Sequence, residues 1–249
     1  MRTAIVTGGG QGIGRGIVER LMRDGWRVAA IDIDRDALDE IEGGPRFLGV
    51  ECDVGDEGQV ASALREIGDW LQGGGLDLLV SNAGISNPVS GPIDRLSLQD
   101  WRAWQDSHVT GAFLMVRGTV GWLRKAQGAI VTIASTRALQ SEPDCEAYAA
   151  AKGALLSMTH ALAVSLGPEI RANCILPGWI ETGPWQRADR RSEPDHSARD
   201  KAQHPVGRVG RVGDIAGMVA WLASEDAGFV TGQHFAVDGG MTVKMVYAE

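Results

Sequence analysis

The sequence predicts an α/β fold with one doubly wound parallel sheet. Short apolar segments alternate with helix-like segments along the chain, short turns join them, and polar motifs follow the apolar segments directly. Ligands of such sheets bind outside the carboxyl ends of the strands. No repeat, low-complexity run or linker divides the chain, so we expect one domain over residues 1–249 with its site along one edge of the sheet.

Composition narrows the classes of function. The net charge is −8 without a basic cluster, which argues against nucleic acid or an anionic membrane as partner. Cys52, Cys145 and Cys174 form no CxxC or Cys/His pattern, so we expect no metal site and reduced thiols in a cytoplasmic protein. The start of the chain lacks a signal-peptide pattern, and we expect no membrane span because no stretch approaches the ~20 apolar residues that one needs.

The first unit is a strand at residues 4–6, a glycine-rich turn at 7–14 and a helix. Glycines allow a tight turn and let a phosphate approach the backbone, while the helix N-terminus offers free N–H groups. The candidate cofactor-binding residues of this turn are Gly8, Gln11, Gly12, Ile13 and Gly14.

The second strand, residues 27–31, ends at Asp32. A carboxylate there can accept hydrogen bonds from an adenosine ribose and would repel a 2′-phosphate. Because neither Gln11 nor Ile33 is a lysine or arginine, we predict NAD(H) rather than NADP(H). The alternative is a solvated carboxylate at a strand end.

Two further strands end in candidate cofactor residues. A strand at 47–52 leads to Asp53, placed to receive an adenine amino group, with Val54 beside it. A helix to about residue 71 and a strand at 76–80 follow, and the strand leads to Asn82, Ala83 and Gly84.

The chemistry is expected in the second half. A long helix from a capping box at Ser97 to about residue 125 precedes a strand at 129–134, which ends at Ser135. The helix predicted at 146–166 carries Tyr148 and Lys152, four residues apart and thus on one face. A cation near a phenol favours the phenolate and lowers its pKa, which suits proton exchange with a substrate oxygen. Taken alone, the pair has a purely structural alternative.

The last part begins with a strand at 171–176 and the turn formed by Pro177 and Gly178, which allows backbone to approach a nicotinamide. The charged segment 183–204 is interpreted as a substrate lid, with a solvated surface helix as the alternative. Trp179 and Trp185 are either apolar walls of the substrate pocket or anchors of the lid. A helix from Gly213, an edge strand within 231–240 and an apolar tail at 241–249, expected against a neighbouring subunit, complete the chain.

These motifs together resemble the short-chain dehydrogenase/reductase family over essentially the whole chain. The shared features are Thr7-Gly8-x-x-x-Gly12-x-Gly14, Asp53, Asn82-Ala83-Gly84, Ser135, Tyr148-x-x-x-Lys152, and Pro177-Gly178 with Thr182. The resemblance implies a seven-stranded Rossmann sheet, a nicotinamide cofactor, and a homotetramer or homodimer built partly from the helices around strand five.

The resemblance also implies residue roles. Ser135 would hold the substrate oxygen, Tyr148 would exchange its proton, and Lys152 would lower the tyrosine pKa and bind the nicotinamide ribose. The backbone at Ile180 and the hydroxyl of Thr182 would bind the carboxamide. The loop with Glu142 and Cys145 would line a polar or hydroxylated substrate, together with Ser135, Tyr148, Trp179 and Trp185.

The chain departs from the family at His108, where an asparagine is usual. That asparagine is thought to hold a helix kink open and to bind a water that links the lysine to solvent. A histidine can donate, accept and titrate near pH 6–7, so a modified relay is one interpretation. A packed helix histidine without a catalytic part is the other, and a metal role is not expected because no second ligand stands at helical spacing.

The sequence therefore predicts an NAD(H)-dependent oxidoreductase that interconverts a secondary alcohol and a ketone. One alternative is an NADPH-dependent β-ketoacyl carrier-protein reductase, against which Asp32 argues. A second is a non-catalytic NAD-binding regulator, against which the intact set of Ser135, Tyr148 and Lys152 argues.

Overall fold

Seven parallel strands form the central sheet in the computed structural model, which describes residues 1–245. The strands of the central sheet and of a separate small sheet are, in chain order, β1 (Thr3–Thr7), β2 (Arg27–Asp32), β3 (Phe47–Glu51), β4 (Leu78–Ser81), β5 (Ala129–Ile133), β6 (Arg171–Pro177), β7 (Ile180–Glu181), β8 (Gly210–Arg211) and β9 (His234–Val237). The sheet order is β3-β2-β1-β4-β5-β6-β9, and β7 pairs with β8 in a separate two-stranded sheet. The strand order reverses between β1 and β4, so the ligand crevice is expected there. The predicted doubly wound fold with an edge position for the last strand is confirmed.

Helices cover both faces of the sheet. They are α1 (Gly12–Arg23), α2 (Arg35–Asp39), α3 (Glu57–Leu71), α4 (Leu98–Gln105), α5 (Gly111–Ala126), α6 (Glu146–Leu166), α7 (Ala198–Ala202) and α8 (Val212–Leu222). One apolar core lies between the sheet and α1 with α8, and a second lies between the sheet and α3 with α5. Every residue of β1, β4 and β5 is buried, because a parallel sheet covered on both faces leaves no solvent-facing side.

The long helix expected from Ser97 to about residue 125 is interrupted. Five residues, Asp106–Thr110, form a π-helical turn between α4 and α5, and His108 lies inside it. A π-turn inserts a residue into the helical ladder and changes the direction in which the following side chains point. The interruption therefore sets the orientation of His108.

The expectation about membrane spans also needs correction. Helix α6 is 21 residues long with a mean hydropathy of 1.2, enough to cross a membrane by length and composition. One face of this helix carries the buried Lys152 and packs against β6 and β5, and length and composition alone are weak evidence for a membrane span. The tail prediction is covered only to residue 245, and residues 246–249 lie outside the described residues.

Candidate functional site

The glycine-rich turn joins β1 to α1 in a conformation that fits a phosphate. Gly8 and Gly12 have φ values of +62° and +57°, in the left-handed region that favours glycine. A β-carbon at Gly14 would overlap the carbonyl oxygen of Gly8, so the helix can approach the turn only with glycine there. The N-cap residue Gln11 makes no side-chain cap, which leaves the first N–H groups of α1, including that of Ile13, available to an anion.

Asn82 braces this turn from β4. Its amide donates to the carbonyl oxygens of Thr7 and Gly8 at 3.0 and 3.1 Å, and the N–H groups of Asn82 and Ala83 both donate to the Thr7 hydroxyl. Of the Asn82 side chain, only the amide oxygen remains for a ligand. The structure thus indicates that Asn82 and Ala83 support the turn that Gly8 forms.

Two carboxylates stand at the ends of β2 and β3. Asp32 accepts hydrogen bonds from the backbone N–H groups of Gly10 (2.9 Å) and Asp34 (3.1 Å), while burial raises its pKa above the usual 3.8. Asp53 accepts from the N–H of Gly55 at 2.8 Å, and Val54 beside it is buried. Both lie at the carboxyl edge of the sheet, as expected from the sequence.

Ser135, Tyr148 and Lys152 meet where β5 ends beside α6. The Ser135 hydroxyl interacts with the phenol of Tyr148, and the Lys152 ammonium lies 5.4 Å from the phenol ring centre. Lys152 is 4% exposed and donates to the carbonyl oxygen of Ile133 at 3.0 Å. Three polar groups from two elements therefore converge in one partly closed space.

The protonation of this group differs from the expectation. Burial raises the pKa of Tyr148 above its ordinary value of 10, although the Ser135 hydroxyl and the charge of Arg137 oppose the rise. The expected lowering by Lys152 is not found, and burial lowers the pKa of Lys152 itself to about 8. At neutral pH the phenol thus holds its proton, which is the form that donates to a carbonyl oxygen.

His108 reaches the same space from the π-helical turn. Its ring meets that of Tyr148 edge-on with centres 5.6 Å apart, and Nε2 lies 3.2 Å from the carbonyl oxygen of Ile85. A carbonyl only accepts, so Nε2 must carry the proton and Nδ1 a bare lone pair. Nδ1 is buried and has no hydrogen-bond partner within residues 1–245.

This histidine does not titrate near pH 6–7 as the sequence suggested. Burial, followed by the nearby charge of Lys152, lowers the pKa of His108 to about 2. Its ring also fills the position that a β-carbon would need at Gly84, whose φ is +154°. Gly84 therefore makes room for an uncharged His108.

The loop before α6 has one predicted residue in an unexpected position. Cys145 is 1% exposed and its thiol donates to the carbonyl oxygen of Glu142, so it closes the loop on itself. Glu142 is exposed and pairs with the guanidinium of Arg137. The backbone N–H of Arg137 donates to the Ser135 hydroxyl. Arg137 was not among the residues predicted from the sequence, although its place two residues after Ser135 was a usable signal.

The turn after β6 carries the remaining predicted residues. A β-carbon at Gly178 would meet Asp238 at 2.7 Å, so this glycine permits the close approach of the loop after β9. Ile180 pairs with Gly210 in the small sheet, and the Thr182 methyl lies 3.7 Å from the β-carbon position at Gly12. Pro177 ends β6 immediately before this turn.

The two tryptophans differ in place. Trp179 is 40% exposed and packs beside His196 and His204. Only the exposed side of its ring is available to form a pocket wall. The ring of Trp185 lies 3.6 Å from the β-carbon position at Gly16 on α1. Trp185 thus fits the interpretation as an anchor of segment 183–204 better than that of a pocket wall.

Arg187 brings a cation to the turn between β2 and α2, a contact that the sequence did not predict. Its Nη1 lies 3.3 Å from Asp34 and 3.0 Å from Asp36, two and four residues beyond Asp32. The contact joins residues 153 positions apart in sequence, so no local pattern could reveal it. The lack of a basic side chain at positions 11 and 33 therefore does not by itself describe the charge near Asp32, because Arg187 adds a cation there.

Comparison with known proteins places this geometry in context. The family model described as enoyl-(acyl carrier protein) reductase matches residues 8–242. The chain is 43% identical to an uncharacterized oxidoreductase of Thermotoga maritima, over 100% of this chain and 98% of that protein. It is 37% identical to 2-(S)-hydroxypropyl-CoM dehydrogenase 3 of Xanthobacter autotrophicus, over 95% of each. The crystal structure of a 3-ketoacyl-(acyl-carrier-protein) reductase from Brucella melitensis complexed with NADH superimposes with a TM-score of 0.85 at 28% identity, covering 97% of this chain and 98% of that one.

Proposed function

The chain belongs to the short-chain dehydrogenase/reductase family of oxidoreductases, and from this premise we propose that it uses NAD(H) to interconvert a secondary alcohol and a ketone. The observation that carries the proposal is the convergence of Ser135, Tyr148 and Lys152 beside the glycine-rich turn. The alcohol and ketone chemistry is supported by the hydroxypropyl-CoM dehydrogenase among the relatives.

The cleft fits a dinucleotide. The uncapped start of α1 suits a pyrophosphate, and Asp32 suits a ribose diol. When bound, the nicotinamide exchanges a hydride with the substrate carbon. The choice of NAD(H) is supported by the carboxylate of Asp32, and by the engagement of Arg187 with three carboxylates, those of Asp34, Asp36 and Asp189.

The protein groups would then act on the oxygen. In reduction, Tyr148 donates its phenolic proton to the carbonyl oxygen as that oxygen becomes a hydroxyl, and Ser135 donates a hydrogen bond that orients it. In oxidation the proton returns to the phenolate. Lys152 is a buried cation 5.4 Å from the phenol ring centre, and His108 is an uncharged residue packed against the edge of that ring.

The substrate is proposed to be a small polar or hydroxylated alcohol or ketone. Arg137 and Glu142 give the entrance polar, charged groups next to Ser135. Trp179 offers one partly open apolar surface. Such a lining favours a substrate with several hydrogen-bonding groups.

A decisive experiment screens polyols, sugars, hydroxy acids and cyclic alcohols with NAD and NADP while following absorbance of the reduced cofactor. Tyr148→Phe should lower kcat by about 10²–10⁴-fold and leave the Kd for NADH almost unchanged, since the ring is kept and only the proton donor is removed. Turnover that survives this change would refute the mechanism. His108→Ala with full activity would reduce that histidine to a packing role.

A β-ketoacyl carrier-protein reductase is the second candidate. The structural similarity to the Brucella melitensis enzyme favours it. Assay of a β-ketoacyl thioester with NADPH and with NADH separates the two candidates, because only the reductase should turn the thioester over faster than simple ketones.

We further propose a homotetramer or homodimer in the cytoplasm. Val164 on α6 and Phe113 on α5 are large apolar residues, 83% and 48% exposed in the single chain. A second copy is the occupant expected from the resemblance. Light scattering on a size-exclusion column tests this, and a monomer at micromolar concentration would contradict it.

A further inference from the structure

One segment between the small sheet and α7 lies along the glycine-rich turn; we call residues 182–191 the strap. The Thr182 methyl and the Gln186 amide nitrogen lie 3.7 and 3.9 Å from the β-carbon position at Gly12. The N–H of Arg187 donates to the side-chain oxygen of Gln11 at 3.1 Å. The strap therefore lies against the Gln11–Gly12 part of the turn, next to the start of α1 that suits the pyrophosphate.

The far end of the strap is clasped to the adenosine side. Arg187 pairs with Asp34 and Asp36, and Gln11 joins the same cluster by donating to Asp34 at 3.2 Å. The side chains of Arg187 and Asp34 are only 20% and 17% exposed, so solvent and salt screen their contact less than that of an open surface pair.

A second arm closes on Glu40. Its carboxylate accepts from the N–H of Ala188 at 2.8 Å and pairs with Arg191 at 2.7 Å and with Arg15 of α1 at 2.9 Å. Both arms thus join the strap to the region of β2, α2 and α1 that frames the ribose-binding Asp32. We call the contacts of Arg187 and Arg191 with Asp34, Asp36 and Glu40 the clasp.

We propose that the clasp is the gate of the dinucleotide site, so that its opening sets the rate at which the cofactor leaves. This inference rests on the proposed function. A dinucleotide held at Asp32 and at the start of α1 would pass the strap where the strap contacts Gln11 and Gly12. To leave, its adenosine end must pass the clasp, and the ion pairs of Arg187 must break first.

Stopped-flow fluorescence tests the gate directly. Protein loaded with NADH is mixed with excess NAD, and the decay of the NADH signal gives the dissociation rate. Arg187→Met should raise that rate about tenfold, as expected for the loss of partly exposed ion pairs, and Arg191→Met should raise it less. Arg190→Met is the matched control, because Arg190 is an exposed strap residue and, within residues 1–245, makes no ion pair with Asp34, Asp36 or Glu40.

Salt gives a readout that mere anchoring of the strap would not move. The dissociation rate of the wild type should rise between about 0.05 and about 0.5 M NaCl, and the Arg187→Met variant should lose most of this dependence. Equal dissociation rates and equal salt dependence in Arg187→Met and Arg190→Met would overturn the gate.

Hydrogen exchange measured by mass spectrometry on the protein without added cofactor provides the second test. The N–H groups of Arg187 and Ala188 should exchange faster in Arg187→Met, while those of β4 and β5 stay protected and show that the fold is intact. Unchanged exchange in the strap would also overturn the proposal that the clasp holds the strap closed. Failure of the wild type to bind NADH would instead refute the proposed function, which distinguishes the two failures.

Discussion

Replacing Lys152 by methionine should stabilise the fold while it removes activity. The ammonium is 4% exposed, and burial lowers its pKa from the usual 10.5 to about 8. A shift of that size corresponds to about 3 kcal/mol of unfavourable free energy for the charged form at neutral pH. The variant forfeits the hydrogen bond to the carbonyl oxygen of Ile133, which offsets about 1 kcal/mol.

The net gain of about 2 kcal/mol should raise Tm by roughly 4–8 °C in a chain of this length. The gain depends on pH with a defined sign. Below pH 8 the folded protein carries the penalised charge, whereas between pH 8 and 10.5 the folded lysine loses its proton before the unfolded one does. The stability of the wild type therefore rises relative to the variant across that window, and the difference shrinks by pH 10.

Urea unfolding of both proteins at pH 7 and pH 10, at one fixed protomer concentration, measures this difference. Lys201→Met on the exposed α7 serves as control and should change the free energy of unfolding by less than about 0.5 kcal/mol. A Lys152→Met variant no more stable than the wild type at pH 7, or an advantage unchanged at pH 10, would refute the assignment of a penalised buried charge.

Three further outcomes are expected. Gly14→Ala should cost about 2–3 kcal/mol, because its methyl group would overlap the carbonyl oxygen of Gly8, whereas Gly121→Ala in open space on α5 should gain a few tenths to about 1 kcal/mol by chemical denaturation. Asp32→Asn should raise the ratio of NADPH to NADH affinity about tenfold in fluorescence titrations, because the carboxylate that repels a 2′-phosphate is removed. An unchanged ratio would show that Asp32 does not determine the choice of cofactor. Because burial raises the pKa of Tyr148, the rate of ketone reduction should stay level through neutral pH and fall only in alkali, while a decline beginning near pH 7 would contradict the raised pKa.

Features set by neighbours in sequence were predictable, and those set by distant packing were not. The bounds of α6 agree with the sequence prediction, 146–166, since they follow from a continuous apolar pattern. The π-helical turn at Asp106–Thr110 did not follow from the helical pattern, although the resemblance associates the position of His108 with a helix kink. Periodicity within the long helix contains no trace of that turn.

Charge states were the least predictable part of the site. Spacing placed a cation near Tyr148 correctly, and it suggested that the phenol pKa falls. In the structure the desolvation of the phenol outweighs the nearby charges, and desolvation depends on every element that covers the site. The contact of Arg187 with Asp34 was not predictable either, because it joins residues 153 positions apart in sequence and depends on how the strap packs.

The histidine in place of the usual asparagine changes what this position can do. Because Nε2–H is donated to the carbonyl oxygen of Ile85, the only free function of His108 is acceptance of a hydrogen bond at Nδ1. With its pKa near 2, the ring cannot hold a transferred proton at neutral pH, so a proton that leaves Tyr148 cannot rest on His108. Lys152, with a pKa of about 8, can release and regain one in the working range. In the proposed reaction, His108 therefore stores no proton, and of these two residues only Lys152 can release one.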